Sequence, residues 1–261
     1  KDVLGDIPIG EDGSAYFKVP SGVPLYFIAL DREGRAVQRM RSFTHLMPGE
    51  RQGCVGCHAD RLNAAAPTLG RLDFSQPPLE LERPQWMQEQ TDSDTDSSPG
   101  FDYARMIQPI WNEHCVECHH PKEASGGVDL TGDQTDFFNV SYEMLARDKQ
   151  GREGSRFVNW IPTYNGQEWN VGEVSPRRWG SYRSRLAEIV RSNHACTHPD
   201  NPQSKAAFVL SEPERRRIYA WIDLNVPYYG SSETAHPDAI GCRQIYPADL
   251  DSVLVDVGQR R

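Results

Sequence analysis

Apolar and polar residues form short alternating runs over the first fifty residues of the chain. The run SAYFKV alternates, and the run PLYFIAL is followed by RAVQRM after the four-residue segment DREG. A period of two is typical of half-buried β-strands, and Asp, Gly and Pro between such runs favour tight turns. The pattern therefore predicts a meander of short strands in this part of the chain.

Beyond residue 100 the apolar residues recur at helical spacing instead. The run FDYARMIQPIWNEHC places its apolar residues on one helical face, with Pro109 inside the pattern as a predicted kink. Further helices are predicted for the runs SYEMLARD, SYRSRLAEIVRSNH and SEPERRRIYAWIDLN. The last of these opens with Ser211 and Glu214 in capping-box spacing, so we expect a helix to begin there.

The chain between the two patterned regions has the composition of a linker. Residues 66–100 are first Pro-rich and then acidic and Ser-rich, with too few apolar residues in the second part to offset the entropy of ordering. We therefore predict an α+β protein with much irregular chain. A small β-rich domain spans 1–65, a mainly α-helical domain spans 101–230, and a C-terminal tail spans 231–261.

Composition and charge narrow the functional classes. Hydrophobic residues make up 38% of the chain and 21 Gly and 19 Pro are present, which favours short elements organised in part by a buried cofactor. The net charge of −9 argues against nucleic acid or an anionic membrane surface as a partner. No apolar run approaches the roughly 20 residues that span a bilayer. The start, KDVLGDIPIG, resembles the middle of a strand, which predicts a processed product or part of a longer precursor.

The motif Cys-x-x-Cys-His occurs twice, although chance predicts only ~0.004 copies from this composition. Its residues are Cys54, Cys57 and His58 in the first copy, and Cys115, Cys118 and His119 in the second. A zinc ribbon requires pairs about 15 to 20 residues apart, and a thioredoxin-type pair follows a strand in a βαβ unit. Covalent haem attachment uses all three residues. The sequence therefore predicts two haem c groups, with cysteine thioethers, histidine-bound iron and a cytochrome c-like helical domain.

Covalent haem attachment of this type requires export, so we expect a periplasmic or extracellular, secreted protein. In an oxidising compartment the remaining cysteines, Cys196 and Cys242, are able to pair as a disulfide. Two separate buried thiols are the alternative. The disulfide would join the segment NHACTHPD to the C-terminal tail.

The sixth ligand of each iron decides between electron transfer and catalysis, because a second histidine saturates the metal and an open face admits small molecules. For the second haem we expect His194, at the end of a predicted amphipathic helix, with His198 as its competitor. His114 and His120 lie beside the motif on the proximal side, where we expect them to face solvent or a haem propionate.

The candidates for the sixth ligand of the first haem lie in the loop FTHLMPGE, just upstream of the motif. His45 and Met47 are both able to fold over the opposite face of that haem, and a methionine ligand would raise its reduction potential. An open face, or a ligand from elsewhere, is the third alternative.

Longer runs of the chain resemble a known family. The run DGSAYFKVPSGVPLYFIALDREGRAVQRMRSFTHLMPGERQGCVGCH resembles the middle domain of the hydrazine synthase alpha-subunit-like family. The runs FDYARMIQPIWNEHCVECHHP, GGVDLTG, WGSYRSRLAEIVRSNH and IYAWIDLNVPYYG resemble its C-terminal haem domain. The resemblance implies a bis-histidine second haem, favours His194 as its distal ligand, and implies a β-propeller ahead of the part seen here.

One position departs from the family pattern. In hydrazine synthase a tyrosine four residues beyond the first motif histidine holds the middle haem, and that histidine binds zinc instead. The corresponding residue here is Leu62, and no tyrosine lies nearby. This departure argues against the specialised hydrazine chemistry, and we expect His58 to be an ordinary iron ligand.

Two functions are consistent with these features. The first is a dihaem c-type cytochrome that transfers electrons, alone or as a module of a larger redox complex. The alternative is a haem enzyme, peroxidase-like or acting on nitrogen compounds, with the first haem as active site and the second as relay. The sequence offers no dedicated catalytic acid or base, which favours the carrier. Expected partners are redox proteins or haem subunits, in a homo- or hetero-oligomer. A third hypothesis is an assembly in which His236 or His45 ligates a neighbour's iron.

Overall fold

The computed structural model describes residues 1–40, 42–54, 76–88, 100–122, 125–147, 155–161, 175–192 and 209–230, and the backbone of 195–197 and 205–207. The strands are β1 Ile28–Leu30, β2 Ala36–Arg39, β3 Ala195–Thr197 and β4 Lys205–Ala207. The helices are α1 Gln85–Gln88, α2 Tyr103–Met106, α3 Gln108–His114, α4 Val140–Ala146, α5 Arg185–Arg191 and α6 Glu212–Asp223. This part of the chain is mixed α+β, with two two-stranded antiparallel sheets.

The β1–β2 hairpin is the one that the runs PLYFIAL and RAVQRM predict. The side chain of Asp31 accepts hydrogen bonds from the backbone N–H groups of Glu33 and Arg35, both at 2.9 Å, and so organises the turn. Gly34 adopts φ +86°, a left-handed conformation that favours glycine at the end of the turn. The hairpin therefore follows from local turn chemistry.

The run SAYFKV pairs differently from the predicted meander. Phe17 forms a single parallel bridge with Leu79, within the Pro-rich segment. The N–H of Leu79 donates to the carbonyl of Tyr16, and the N–H of Lys18 donates to the carbonyl of Leu79, both at 2.9 Å. Prolines at 77 and 78 lack an N–H, which confines the pairing to this one residue.

The helical pattern after residue 100 divides into two helices. Asp102 caps α2 by accepting a hydrogen bond from the N–H of Arg105 at 3.1 Å. The break lies at Ile107 and not at Pro109, which occupies the first turn of α3. Proline is tolerated there because the N–H groups of a first helical turn have no intrahelical acceptor.

The capping box of α6 is confirmed. The N–H of Ser211 donates to the Glu214 carboxylate at 2.7 Å, and the N–H of Glu214 donates to the Ser211 hydroxyl at 3.4 Å. The apolar face of α6 is buried in the core, at Ile218, Trp221 and Ile222. No helix in the described ranges is long and apolar enough to cross a membrane.

The core lies among the helices and includes residues from the predicted linker. Its largest fully buried side chains include Trp111, Trp221, Tyr103 and Phe101. From α1, Trp86 and Met87 are also buried, and the carbonyl of Trp86 accepts a hydrogen bond from Arg217 at 2.8 Å. The end of the Pro-rich segment therefore packs against α6.

Asp223, at the end of α6, fixes the β1–β2 hairpin to the helices. Its carboxylate accepts hydrogen bonds from the N–H of Ala36 at 2.9 Å, the N–H of Ser181 at 2.8 Å and the hydroxyl of Ser181 at 2.7 Å. The guanidinium of Arg39 donates to the Asp223 carbonyl at 2.7 Å. Burial raises the pKa of Asp223 to about 6, although these hydrogen bonds and Arg39 act in the opposite direction.

Candidate functional site

The second cysteine motif follows directly on the last residue of α3. The N–H groups of Cys115 and Val116 donate to the carbonyl of Trp111 at 2.8 and 2.9 Å. The N–H groups of Cys118 and His119 then donate to the carbonyl of Cys115 at 3.1 and 2.9 Å. The motif thus continues the helix as tight turns, which keep both cysteines and the histidine on one short, half-buried stretch of chain.

The ring of His119 is oriented by a backbone carbonyl. Its Nδ1 lies 3.2 Å from the carbonyl oxygen of Val128. Because a carbonyl only accepts, Nδ1 carries the proton in this contact, and Nε2 is the ring nitrogen that would bind a metal. Metal-binding histidines commonly make such a hydrogen bond through the second ring nitrogen. The residues of the second motif therefore fit a covalently bound haem with His119 Nε2 as its proximal ligand.

A buried polar network holds the loop that supplies the Val128 carbonyl. The Gln108 amide donates to the carbonyl of Leu130 at 3.0 Å, and the N–H of Leu130 donates to the carbonyl of His119 at 2.9 Å. The Gln108 carbonyl accepts from Asn139 at 3.2 Å and from Ser141 at 2.5 Å. Gln108 is not among the residues predicted from the sequence. Its one signal there is that it is a polar residue on an otherwise apolar helical face.

Tyr103 and Trp111 extend this network into the aromatic core. The indole N–H of Trp111 donates to the Tyr103 oxygen at 2.9 Å, and the Tyr103 hydroxyl lies 2.8 Å from that of Ser141. Burial raises the pKa of Tyr103 far above its usual range, so the phenol is neutral. The helix that precedes the second motif is thus fixed by specific hydrogen bonds as well as by apolar contacts.

His114 has a protein partner, which differs from the expectation that it faces solvent or a propionate. Its Nε2 lies 2.8 Å from Oε1 of Glu214 on α6 and 3.9 Å from Oε2 of Glu113. Burial opposes ionisation of Glu214, but hydrogen bonds from Ser211 and His114 hold its pKa below the usual range. Nδ1 of His120 accepts a hydrogen bond from the N–H of Lys122 at 3.3 Å.

The loop before the first motif is closed on itself. The hydroxyl of Thr44 donates to the side-chain oxygen of Gln52 at 3.1 Å, and the N–H of Met47 donates to the Glu50 carboxylate at 2.7 Å. Cys54 is exposed and, by chain reach, lies within about 7 Å of Gln52. Loop closure therefore joins Thr44, the residue before His45, to Gln52, two residues before Cys54.

The two candidate ligands in this loop are solvent-exposed. His45 is exposed, and Met47 retains 62% of its accessible surface. Other predicted site residues lie outside the described residues, namely Cys57, His58, Leu62, His194, His198 and His236. The predicted pairing of Cys196 with Cys242 also lies outside the described side chains. These assignments stay predictions.

Comparisons with known proteins confirm the resemblance found in the sequence. A sequence model of the hydrazine synthase alpha subunit middle domain matches residues 1–59. The chain is also 23% identical over 276 residues to hydrazine synthase subunit alpha of Kuenenia stuttgartiensis, covering 87% of this chain and 33% of the relative. The chain thus spans about a third of that relative's length, and no solved structure matches it. Residues 1–59 therefore match the middle domain of this family, and most of the chain is similar to the hydrazine synthase alpha subunit.

Proposed function

We propose that the chain is a dihaem c-type cytochrome unit that transfers electrons through two covalently bound haems. The observation that carries this proposal is the 3.2 Å contact between Nδ1 of His119 and the Val128 carbonyl, within a Cys-x-x-Cys-His motif. Because Nδ1 makes this contact, Nε2 is the ring nitrogen that would bind iron, and when bound the haem supplies reversible one-electron chemistry. The protein residues orient the ligand and exclude water.

The proposed ligand set assigns one role to each predicted residue. Cys54 and Cys57 attach the first haem, and Cys115 and Cys118 attach the second. His58 and His119 are the proximal iron ligands, His194 is the distal ligand of the second iron, and His45 is the distal ligand of the first. A bis-histidine second haem favours electron transfer, because its iron has no position open to a substrate.

The environment of the second motif suits rapid electron transfer. Trp111 is fully buried directly before it, and Val116 within it retains only 8% of its accessible surface. The Gln108 network fixes the loop that carries Val128, so His119 keeps its orientation. A ligand held by hydrogen bonds and packing moves little when the charge on its metal changes.

The alternative is an enzyme in which the first haem is the active site and the second is an electron relay. The match of residues 1–59 to the middle domain of hydrazine synthase alpha favours it. So does the exposure of His45 and Met47, because an open iron face would be accessible through this loop. Leu62, in place of the family's tyrosine, argues against hydrazine synthesis itself.

Carbon monoxide binding to the reduced holoprotein separates the two proposals. The carrier predicts two low-spin irons, neither of which binds carbon monoxide rapidly. Rapid binding at one haem would support the enzyme. If His45→Ala converts one low-spin signal of the wild type to high spin, His45 is a ligand of the first iron. Met47→Ala tests the competing ligand in the same exposed loop, and a high-spin signal in that variant alone would assign the sixth position to Met47.

Export and assembly are part of the same proposal. Covalent haem attachment implies a periplasmic or extracellular location. The similar protein from Kuenenia stuttgartiensis is named a subunit, which supports assembly of this chain with other redox proteins or haem subunits. The expected assembly is a homo- or hetero-oligomer without contact to nucleic acid.

A further inference from the structure

A cavity opens between the β1–β2 turn and the helices α5 and α6. Its volume is about 690 Å³, within the range of roughly 300–1,000 Å³ that small-molecule sites in proteins occupy. The turn, the end of α5 and the first half of α6 supply its lining, which is charged apart from one phenol: Arg32, Glu33, Arg191, Glu212, Arg215 and Tyr219. Neither function proposed above assigns this cavity a role.

Two of the three arginines in the lining have no carboxylate partner among the described residues. Arg32 forms no ion pair there, and the Arg215 guanidinium donates only to the carbonyl of Leu210. The third, Arg191, is paired with Glu33 at 3.0 Å. A guanidinium binds a carboxylate or a phosphate through paired N–H donors. The cavity therefore holds two positive charges that lack a counter-ion.

Tyr219 gives the cavity a buried hydrogen-bond donor. The residue retains only 2% of its accessible surface, and its hydroxyl forms no hydrogen bond with any described residue. Burial, and then the carboxylate of Glu33, raise the pKa of Tyr219, so the phenol is neutral and able to donate. Buried phenols usually have a hydrogen-bond partner. A ligand in the cavity would supply the partner that the described chain does not.

The charge of the lining limits the kind of ligand. Three guanidinium groups and two carboxylates leave it with a net charge of +1, in a chain whose net charge is −9. Both carboxylates are already paired, Glu33 with Arg191 and Glu212 with Arg216, each at 3.0 Å. They would repel a polyanion, whereas a small molecule with one anionic group matches the excess positive charge.

We propose that this cavity binds a small organic acid or phosphate ester through its anionic group. Arg32 from the turn and Arg215 from α6 donate to the anionic oxygens, and the Tyr219 hydroxyl donates to a further lone pair. Arg216 fixes the turn to α6 by donating to the carbonyl of Arg32 at 3.4 Å. The bound anion would thus bridge the β1–β2 turn and α6. This inference does not depend on either haem.

Isothermal titration calorimetry of the full-length holoprotein tests the inference, with inorganic phosphate and acetate as separate probes and sodium chloride holding the ionic strength constant. At least one anion should bind saturably, and the stronger one tells phosphate from carboxylate. Tyr219→Phe removes a hydroxyl without a protein partner, so it should weaken binding by roughly tenfold while urea unfolding without the anion stays unchanged. Arg32→Gln should weaken binding at least as much. Arg185→Gln makes the same change of charge at an exposed residue of α5 outside the lining, and should bind as the wild type does.

Three results would overturn the inference. The first is the absence of saturable binding by either anion. The second is an unchanged affinity in both Tyr219→Phe and Arg32→Gln, which would place the anion elsewhere on the protein. The third is an equal loss in Arg185→Gln and Arg32→Gln, which would show a general effect of charge. If one of the two cavity variants does not fold, the other decides.

Discussion

Gly180 is the position where a single added methyl group should disrupt the junction between the hairpin and the helices. Its φ of +63° is a left-handed conformation, and a Cβ there would lie 2.3 Å from Oδ1 of Asp223 and 3.1 Å from Cδ1 of Ile161. Non-bonded carbon and oxygen atoms do not approach each other this closely, so the side chain of Asp223 must move. Movement of Asp223 weakens its hydrogen bonds to Ala36 and Ser181.

The expected loss for Gly180→Ala is the sum of two effects. The left-handed backbone costs a residue with a Cβ about 1–2 kcal/mol. Overpacking against a filled site costs typically about 1–3 kcal/mol. A total of roughly 2–5 kcal/mol is a large part of the 5–15 kcal/mol by which domains of this kind are typically stable. We therefore expect the variant to unfold at much lower denaturant concentration.

Urea unfolding of the holoprotein, followed by far-UV circular dichroism, measures this loss. Gly13→Ala is the matched control, because Gly13 also has positive φ, +81°, but has no atom within 4 Å of an added Cβ. The control should lose only the backbone contribution, about 1–2 kcal/mol. Equal losses in the two variants would refute the packing of Gly180 against Asp223.

Three further changes test other parts of the structure. Ser211→Ala removes the cap of α6 and should lower the free energy of unfolding, measured by heat or urea, by about 1 kcal/mol. Ser14→Ala, in an exposed turn, is the comparison variant. Asp223→Asn should abolish the dependence of the free energy of unfolding on pH that this carboxyl causes. Because the folded pKa of about 6 exceeds the unfolded value of ~3.9, the folded state binds the proton more tightly. This group's contribution to the free energy of unfolding is greatest below pH 4 and is lost, by roughly 3 kcal/mol in all, as pH rises through the folded pKa of about 6. Identical wild-type and variant pH profiles would contradict this. Gln108→Ala leaves the Leu130 carbonyl unpaired and should lower the free energy of unfolding by about 1–3 kcal/mol. It should also shift the spectrum of the second haem. An unchanged spectrum would show that the network does not orient His119.

The parts of the fold that could be predicted from the sequence depend on interactions between residues that are close together along the chain. The capping box of Ser211 and Glu214 and the DREG turn each act within four residues, so their chemistry is visible in a short run. The predicted kink at Pro109 lies two residues after the observed break at Ile107, because Pro109 occupies the first turn of α3 and leaves that helix intact. Local signals thus predicted elements better than their boundaries.

The residues that contact one another around the site lie far apart in the sequence. His114 meets Glu214 across 100 positions, and Ala36 meets Asp223 across 187. The first pair joins two side chains, and the second joins the backbone N–H of Ala36 to a side chain. Neither spacing has a periodicity, so no pattern in one sequence indicates these pairs. The cysteine motif was predicted because its chemistry is contained in five consecutive residues. His194, by contrast, is assigned through a predicted helix and a family resemblance.

Covalent attachment of two haems is the central claim, and the intact mass of the denatured protein tests it most directly. Chain produced in a host that matures c-type cytochromes should exceed the polypeptide mass by two haems after denaturation and removal of free cofactor. The variants Cys54→Ala with Cys57→Ala, and Cys115→Ala with Cys118→Ala, should each retain one haem. A denatured wild-type protein with the mass of the polypeptide alone would contradict the claim.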